Sequence, residues 1–241
     1  MSRFFVRPED ISGGKIYITD RGDIHHMKKV LRLAYGDEVD ISDGAVWEYR
    51  ARIEEIGENQ AVLTIVDKQK FAREPHIRIT LFQGIPKAGK MEGIIQKSVE
   101  LGASKIVPVL TRRCISRPKD FAKKLERLNK IALEAAKQSG RGIIPEVMPI
   151  IDFKTAVSQM SETDCPVMLY EEGGVRFSEL ETEGKKSFSL LIGSEGGFDP
   201  EEAEYAKNAG INTVWLGERI LRCETAPLTA ISILMFITKN L

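Results

Sequence analysis

The sequence predicts two consecutive folds, a small β-barrel over residues 1–72 and an α/β domain built on a parallel sheet over residues 73–241. Two observations carry this reading. Short strand-like runs dominate the first 70 residues, whereas strands and helices alternate after Pro75. The change falls at residues 71–76, where Arg73, Glu74 and Pro75 break the periodic pattern.

In the first part, runs at 4–6, 15–19, 38–42, 46–56 and 61–68 alternate or carry β-branched and aromatic residues, which is the strand signature. Gly13-Gly14, Asp43-Gly44 and Gly57-Glu58-Asn59 punctuate them as turns. One helix is expected at 24–33, with Met27, Val30 and Leu31 at helical spacing. Several short strands with one helix suggest a barrel. In the second part, strands are expected at 77–82, 106–110, 166–170, 188–192 and 213–216, and helices at 90–101, 120–139, 200–208 and 227–238. That alternation predicts a parallel sheet with both faces covered.

Composition bounds the function. The chain of 241 residues is 42% hydrophobic and 29% charged, ordinary for a soluble globular protein. Cys114, Cys165 and Cys223 are far apart and form no Cys-x-x-Cys pair, which argues against a disulfide framework and a structural zinc site. No metal is expected, and reduced thiols fit a cytoplasmic protein. Charges interrupt the amino terminus before any apolar run of leader length. The longest apolar stretch, 226–237, is too short to span a bilayer and reads as a buried helix.

Formal net charge is zero, but the charge is unevenly spread. Residues 73–141 carry 16 Lys/Arg against 6 Asp/Glu, and residues 142–241 carry 8 against 16. A basic middle is a candidate footprint for a polyanion; basic and acidic faces that simply solvate are the other reading. The helix at 120–139 pairs an apolar stripe (Phe121, Leu125, Leu128, Ala132, Ala135) with Lys123, Arg127, Lys130 and Lys137 on another face. That face suits phosphates; an ordinary solvated face is the other reading.

Three segments bear on chemistry. Gly84-Ile-Pro-Lys-Ala-Gly89-Lys90-Met91 nearly matches a phosphate-binding loop. Met91 cannot supply the hydroxyl that holds Mg²⁺ there, and Pro86 lacks an N–H. Contact of Lys87 and Lys90 with a nucleic-acid backbone, or solvation of a helix start, is expected instead. The second segment, Gly193-Ser-Glu195-Gly196-Gly197-Phe-Asp199-Pro200-Glu-Glu202, runs from a strand through a glycine-rich turn into a helix with Asp199 as cap. The third, Leu216-Gly217-Glu-Arg-Ile-Leu221-Arg222-Cys-Glu224-Thr225-Ala226-Pro227, joins a strand to a helix that Thr225 is expected to cap. Arg222 and Glu224 are charges in apolar surroundings, and such charges pair or bind something. A structural Arg222–Glu224 salt bridge remains open at this point.

Together the last two segments resemble the carboxy-terminal signature of the SPOUT methyltransferases, in the form found in the RsmE family, which makes 3-methyluridine in small-subunit ribosomal RNA. The stretches Glu134-Ala-Ala-Lys-Gln138-Ser139-Gly140-Arg141, Gln96-Lys97-Ser-Val-Glu100-Leu101-Gly102 and His26-Met-Lys-Lys-Val30-Leu31-Arg32 with Gly36-Asp37 extend the resemblance over nearly the whole chain. It implies a PUA-like RNA-binding barrel over residues 1–72 and a trefoil-knotted α/β domain over 73–241, a rare exception to the rule against knots. It further implies a homodimer with the cofactor pocket near the dimer contact, and S-adenosyl-L-methionine held largely by backbone groups. By that likeness Leu169, Gly193, Gly197, Leu216, Gly217, Leu221, Arg222, Thr225 and Ala226 line the pocket.

Uracil N3 carries a proton and attacks poorly until that proton leaves. The three histidines, His25, His26 and His76, lie outside the two carboxy-terminal segments. Arg222 is therefore the expected stabiliser of the uracil anion, with Glu224 or Glu195 orienting it or taking the proton. RNA contacts are expected from Arg7, His25, His26 and Arg32 in the barrel and from Lys97, Arg112, Arg113 and Arg141 beyond it. The expected substrate is ribosomal RNA in an assembled small subunit. A relative acting on transfer RNA, and a non-catalytic RNA-binding protein, are the alternatives.

Overall fold

The computed structural model describes residues 2–87, 89–115 and 121–241. The chain divides into two compact units, Met1–Glu74 with Ala136–Ile144, and Pro75–Ala135 with Pro145–Leu241.

The first unit is a six-stranded sheet formed by β1 (Arg3–Phe5), β2 (Ile11–Ser12), β3 (Lys15–Ile18), β4 (Glu38–Ser42), β5 (Trp47–Ile56) and β6 (Ala61–Lys70), with the short helix α1 (Arg21–His25) between β3 and β4. The strand order is β1-β4-β5-β6-β3-β2. β1 runs parallel to β4 and the other neighbours are antiparallel. The two-residue period turns Ile16 and Ile18, Val39 and Ile41, Ala51 and Ile53, and Ala61 and Leu63 into one core with Phe4, Ile24 and Met27. Each fully buried Val, Leu or Ile contributes roughly 1.5–3 kcal/mol.

The helix expected at 24–33 begins earlier and ends earlier. Asp20 caps it by accepting from Asp23 N at 2.8 Å, and a π-helical turn, His26–Val30, follows α1. Arg32 then adopts φ +55°, a left-handed conformation that ends a helix.

The segment 136–144 is held in this unit by buried charge. Arg141 is 4% exposed, and its Nη2 lies 2.7 Å from Glu74 Oε2. The Arg141 carbonyl accepts from Arg3 Nη1 at 2.8 Å, and Arg3 pairs with Glu48 at 2.6 Å. Arg141, expected to meet RNA, has its guanidinium enclosed here and paired with Glu74.

The second unit comprises β7 (Arg78–Gly84), α2 (Lys90–Glu100), β8 (Lys105–Leu110), α3 (Phe121–Ser139), β9 (Glu146–Val147), β10 (Ile151–Asp152), α4 (Phe153–Met160), β11 (Cys165–Leu169), β12 (Val175–Arg176), β13 (Ser187–Ile192), α5 (Pro200–Asn208), β14 (Asn212–Trp215) and α6 (Ala226–Ile237). The last residues of α3 belong to the first unit. The sheet is wholly parallel, in the order β10-β8-β7-β13-β11-β14-β12 with β9 also on β8. On one face Phe153, Ala156, Val157 and Met160 of α4 and Ala203 and Ala206 of α5 pack on Phe82, Val107, Met168 and Leu191. α2 and α6 contact each other, and α6 meets β7 and β13.

The expected start of α3 at Asp120 lies outside the described residues. Two members of its basic face are already paired, Arg127 with Glu92 at 2.9 Å and Lys137 with Asp23 at 2.7 Å. No helix is long and apolar enough to cross a membrane among the described residues.

Candidate cofactor and active site

Three neighbouring strands, β13, β11 and β14, end on the same side of the sheet. Parallel sheets bind ligands outside the carboxyl ends of their strands, and a cavity of about 760 Å³ opens there. Leu169 reaches it from the end of β11. Gly193, Glu195 and Gly197 come from the loop after β13, and Leu216, Gly217, Leu221, Arg222 and Ala226 from the loop after β14. Of the residues expected to hold the cofactor, Thr225 is the one not in the lining; it is exposed. Thr225 stands at the N-cap of α6 without a side-chain cap bond. Its φ −91° and ψ −39° are helical, whereas a capping hydroxyl needs extended backbone.

The loop after β13 is fixed from several sides. Gly197 N donates to Ser194 O at 3.0 Å, and Gly197 has φ +64°. Asp199 caps α5 as its sequence predicts, accepting from Glu201 N at 3.1 Å, while Glu202 accepts from Asp199 N at 3.1 Å. Glu202, 5% exposed, also accepts from Arg112 N at 2.9 Å. Arg113 Nη1 donates to Gly196 O at 3.2 Å, and Ser194 Oγ donates to Arg113 O at 3.3 Å. Arg112 and Arg113, expected to meet RNA, thus also position this loop, and the Arg112 guanidinium pairs with Asp199 and Glu201 at 3.2 and 2.5 Å.

Lys90, the first residue of α2, carries the main electrostatic feature. Its Nζ lies 3.0 Å from Glu224 Oε2 and 3.1 Å from Glu195 Oε1. Glu195 also accepts from Lys87 N at 3.1 and 3.2 Å. Glu224 is held below the usual carboxylate range by the Lys90 hydrogen bond and then by Cys223. Burial pushes Glu195 up, but bonds from its own N–H, Lys90 and Lys87 N outweigh burial and leave it low. The same pairs raise Lys90, Glu224 first and Glu195 second. Burial, then the bond to Glu224, pushes the Cys223 thiol up to about 12. Arg222 is exposed and makes no ion pair among the described residues. The Arg222–Glu224 bridge left open by the sequence does not form.

The sequence assigned Lys90 to nucleic-acid backbone contact or to solvation of a helix start and missed its place in this site. Nothing local could reveal it, since Lys90 and Glu224 are 134 residues apart. Tyr170 was missed too; it lines the cavity and its hydroxyl donates to Glu172 Oε2 at 2.8 Å.

The expected RNA residues are divided between the two units. Arg7 is exposed and pairs with Glu9 and Asp10 at 3.2 and 3.3 Å. His25 and Arg32 are exposed, whereas His26 is half-buried and sits edge-on to Phe4. These four residues belong to the first unit, and Lys97, paired with Glu100 at 3.0 Å, to the second. No group of side chains suited to a metal ion occurs among the described residues.

A parallel-sheet unit with a backbone-walled cavity at its strand ends and a separate small β unit define a class that the comparisons bear out. Residues 73–235 match the RNA methyltransferase domain family and residues 18–66 match the RNA methyltransferase PUA domain. Ribosomal RNA small subunit methyltransferase E of Bacillus subtilis is 32% identical, over 100% of this chain and 98% of the relative. The Rickettsia conorii protein of that name is 30% identical, over 96% and 93%. The crystal structure of a ribosomal RNA small subunit methyltransferase E from Neisseria gonorrhoeae bound to S-adenosyl methionine superposes with TM-score 0.89, at 32% identity and 98% coverage of both chains. The chain belongs to the ribosomal RNA small subunit methyltransferase E (RsmE) family of RNA methyltransferases.

Proposed function

We propose that this chain is an S-adenosyl-L-methionine-dependent methyltransferase that forms 3-methyluridine in 16S, small-subunit ribosomal RNA. The observation that carries the reading is a guanidinium, Arg222, without an ion pair among the described residues, at a cavity walled by close-approaching backbone. The names of the full-length relatives support the substrate and the cofactor.

The residues present fit the cofactor. About 760 Å³ is within the usual range for a small-molecule site. Leu169, Ile192, Leu216 and Leu221 offer apolar walls for an adenine, and Glu171, Glu172 and Glu218 offer carboxylates to a sulfonium and an ammonium. When bound, S-adenosyl-L-methionine supplies a methyl group whose bond to sulfur breaks as its bond to uracil N3 forms. Arg222 holds the negative charge on the uracil as its N3 proton leaves to solvent, a fixed cation aimed at developing charge. A guanidinium offers donors and no acceptor, so Arg222 serves as electrostatic partner and not as base. Glu195 and Glu224, both held low, are poor proton acceptors at neutral pH; Glu195, bonded to Lys87 N and Lys90, orients the site.

The first unit, with Arg7, His25 and Arg32 exposed, is assigned as the PUA-like RNA-binding domain, and the second as the knotted catalytic domain. A homodimer is taken from the resemblance to the family; Ile220 and Phe236, 84% and 72% exposed in the second unit, are apolar side chains that such a contact could cover. The assembled small subunit is taken as substrate and the cytoplasm as location. The test is transfer of labelled methyl from S-adenosyl-L-methionine to unmodified small subunits, to their deproteinised RNA, and to transfer RNA. Labelling of the subunit is expected; labelling of transfer RNA alone overturns the substrate.

A further inference from the structure

Glu224 follows Arg222 by two residues on the loop between β14 and α6. A carboxylate paired there would neutralise the cation that the proposed reaction needs. Arginine and carboxylate make a strong planar pair, so something must hold Glu224 elsewhere. Lys90 does so: its Nζ meets Glu224 Oε2 at 3.0 Å, and the Cys223 thiol donates to the same oxygen at 3.2 Å. The two carboxylates that Lys90 bridges are unequal. Glu195 keeps its bonds from Lys87 N without Lys90, whereas Glu224 has no second side-chain cation among the described residues. Loss of Lys90 would therefore leave Glu224 with the neutral Cys223 thiol as its side-chain partner among the described residues.

We propose that Lys90 is a positioning residue that holds Glu224 aside and so keeps Arg222 unpaired for the target base. The inference rests on the role given to Arg222 above. It turns a bridge of three charges into a device with a direction: Lys90 takes the carboxylate so that the guanidinium stays open.

The experiment compares the full-length chain with Lys90→Met, Lys90→Arg and the double change Lys90→Met with Glu224→Gln. Lys90→Met is expected to lower turnover by on the order of 10²-fold, the usual cost of losing one electrostatic stabiliser. Its affinity for S-adenosyl-L-methionine is expected to stay within about threefold. Adding Glu224→Gln removes the competing charge and is expected to recover at least about tenfold of the loss, a coupling that two independent sites would not display. Lys90→Arg keeps a cation in place and retains most turnover. A crystal structure of Lys90→Met is expected to have Arg222 in salt-bridge contact with Glu224. Lys90→Gln replaces Lys90→Met should the latter lose its cooperative melting. A double variant as slow as Lys90→Met, or an Arg222 that stays unpaired in the Lys90→Met crystal, overturns the proposal. If the unaltered chain methylates no ribosomal RNA, the assigned reaction falls, and the crystal structure still decides the pairing.

Discussion

The backbone of Gly193 passes Gly197 so closely that a Cβ on residue 193 would stand 3.0 Å from the Gly197 Cα. A side chain there must push apart the loop that walls the cavity. Gly193→Ala is expected to cost about 1–3 kcal/mol, as overpacking does. It should weaken binding of S-adenosyl-L-methionine by roughly tenfold or more. Titration calorimetry checks this; unchanged affinity would mean that the loop backbone does not hold the cofactor.

Arg222→Ala removes a charge that has no structural partner among the described residues. Melting temperature and cofactor affinity should therefore stay near those of the unaltered chain. Turnover should fall by on the order of 10²-fold. Steady-state kinetics with separate cofactor titration distinguishes the two effects, and unchanged turnover sinks the role of Arg222.

Arg141→Ala should behave in the opposite way. The Arg141–Glu74 pair is 5% and 13% exposed at its two side chains, and breaking a buried pair from one side costs about 3–5 kcal/mol. Urea unfolding should show that loss, and Glu74→Ala a similar one. A variant of unchanged stability with weakened RNA binding would restore Arg141 to the RNA surface.

Alkaline pH should weaken the fold. Burial and then an acceptor carboxylate push both Cys223 and Tyr170 up to about 12. Both groups are neutral when protonated, so the folded chain keeps protons that the unfolded chain releases near pH ~8.5 for a thiol and ~10 for a phenol. Their stabilisation is complete below those unfolded values and is lost progressively as pH rises toward 12. Urea midpoints at neutral and at alkaline pH measure the slope. It should flatten in Cys223→Ala and in Tyr170→Phe, and an identical slope in both variants would contradict the assignment.

The parts legible in the sequence were those set by local chemistry. Asp199, Pro200 and Glu202 announced α5 and its capping bonds. The apolar runs placed β13 and β14 within a residue or two, and with them the glycine turn and the loop that carries Arg222. The resemblance to the RsmE family then supplied a cofactor pocket that spacing alone could not have drawn. Short elements escaped, β9, β10, β12 and α4 among them, because two-residue strands have no period and α4 follows β10 without a break. Long-range pairing escaped as well. Lys90 looked like a nucleic-acid backbone contact or a solvated helix start, and Arg141 like an RNA contact, because nothing near them in the chain reveals Glu224 or Glu74. Thr225 looked like a cap because its residue type fits, and only its helical backbone rules that out.

The most direct measurement is the identity of the methylated nucleoside formed by this chain on unmodified small ribosomal subunits. The digested RNA is separated and the labelled nucleoside compared with standards methylated at uracil N3, at uracil C5 and at the ribose 2′-hydroxyl. 3-Methyluridine at a single site is the expected result, lost in Arg222→Ala. Label at C5 or on the ribose would contradict the assigned chemistry, since neither needs a cation held open for a uracil anion formed at N3.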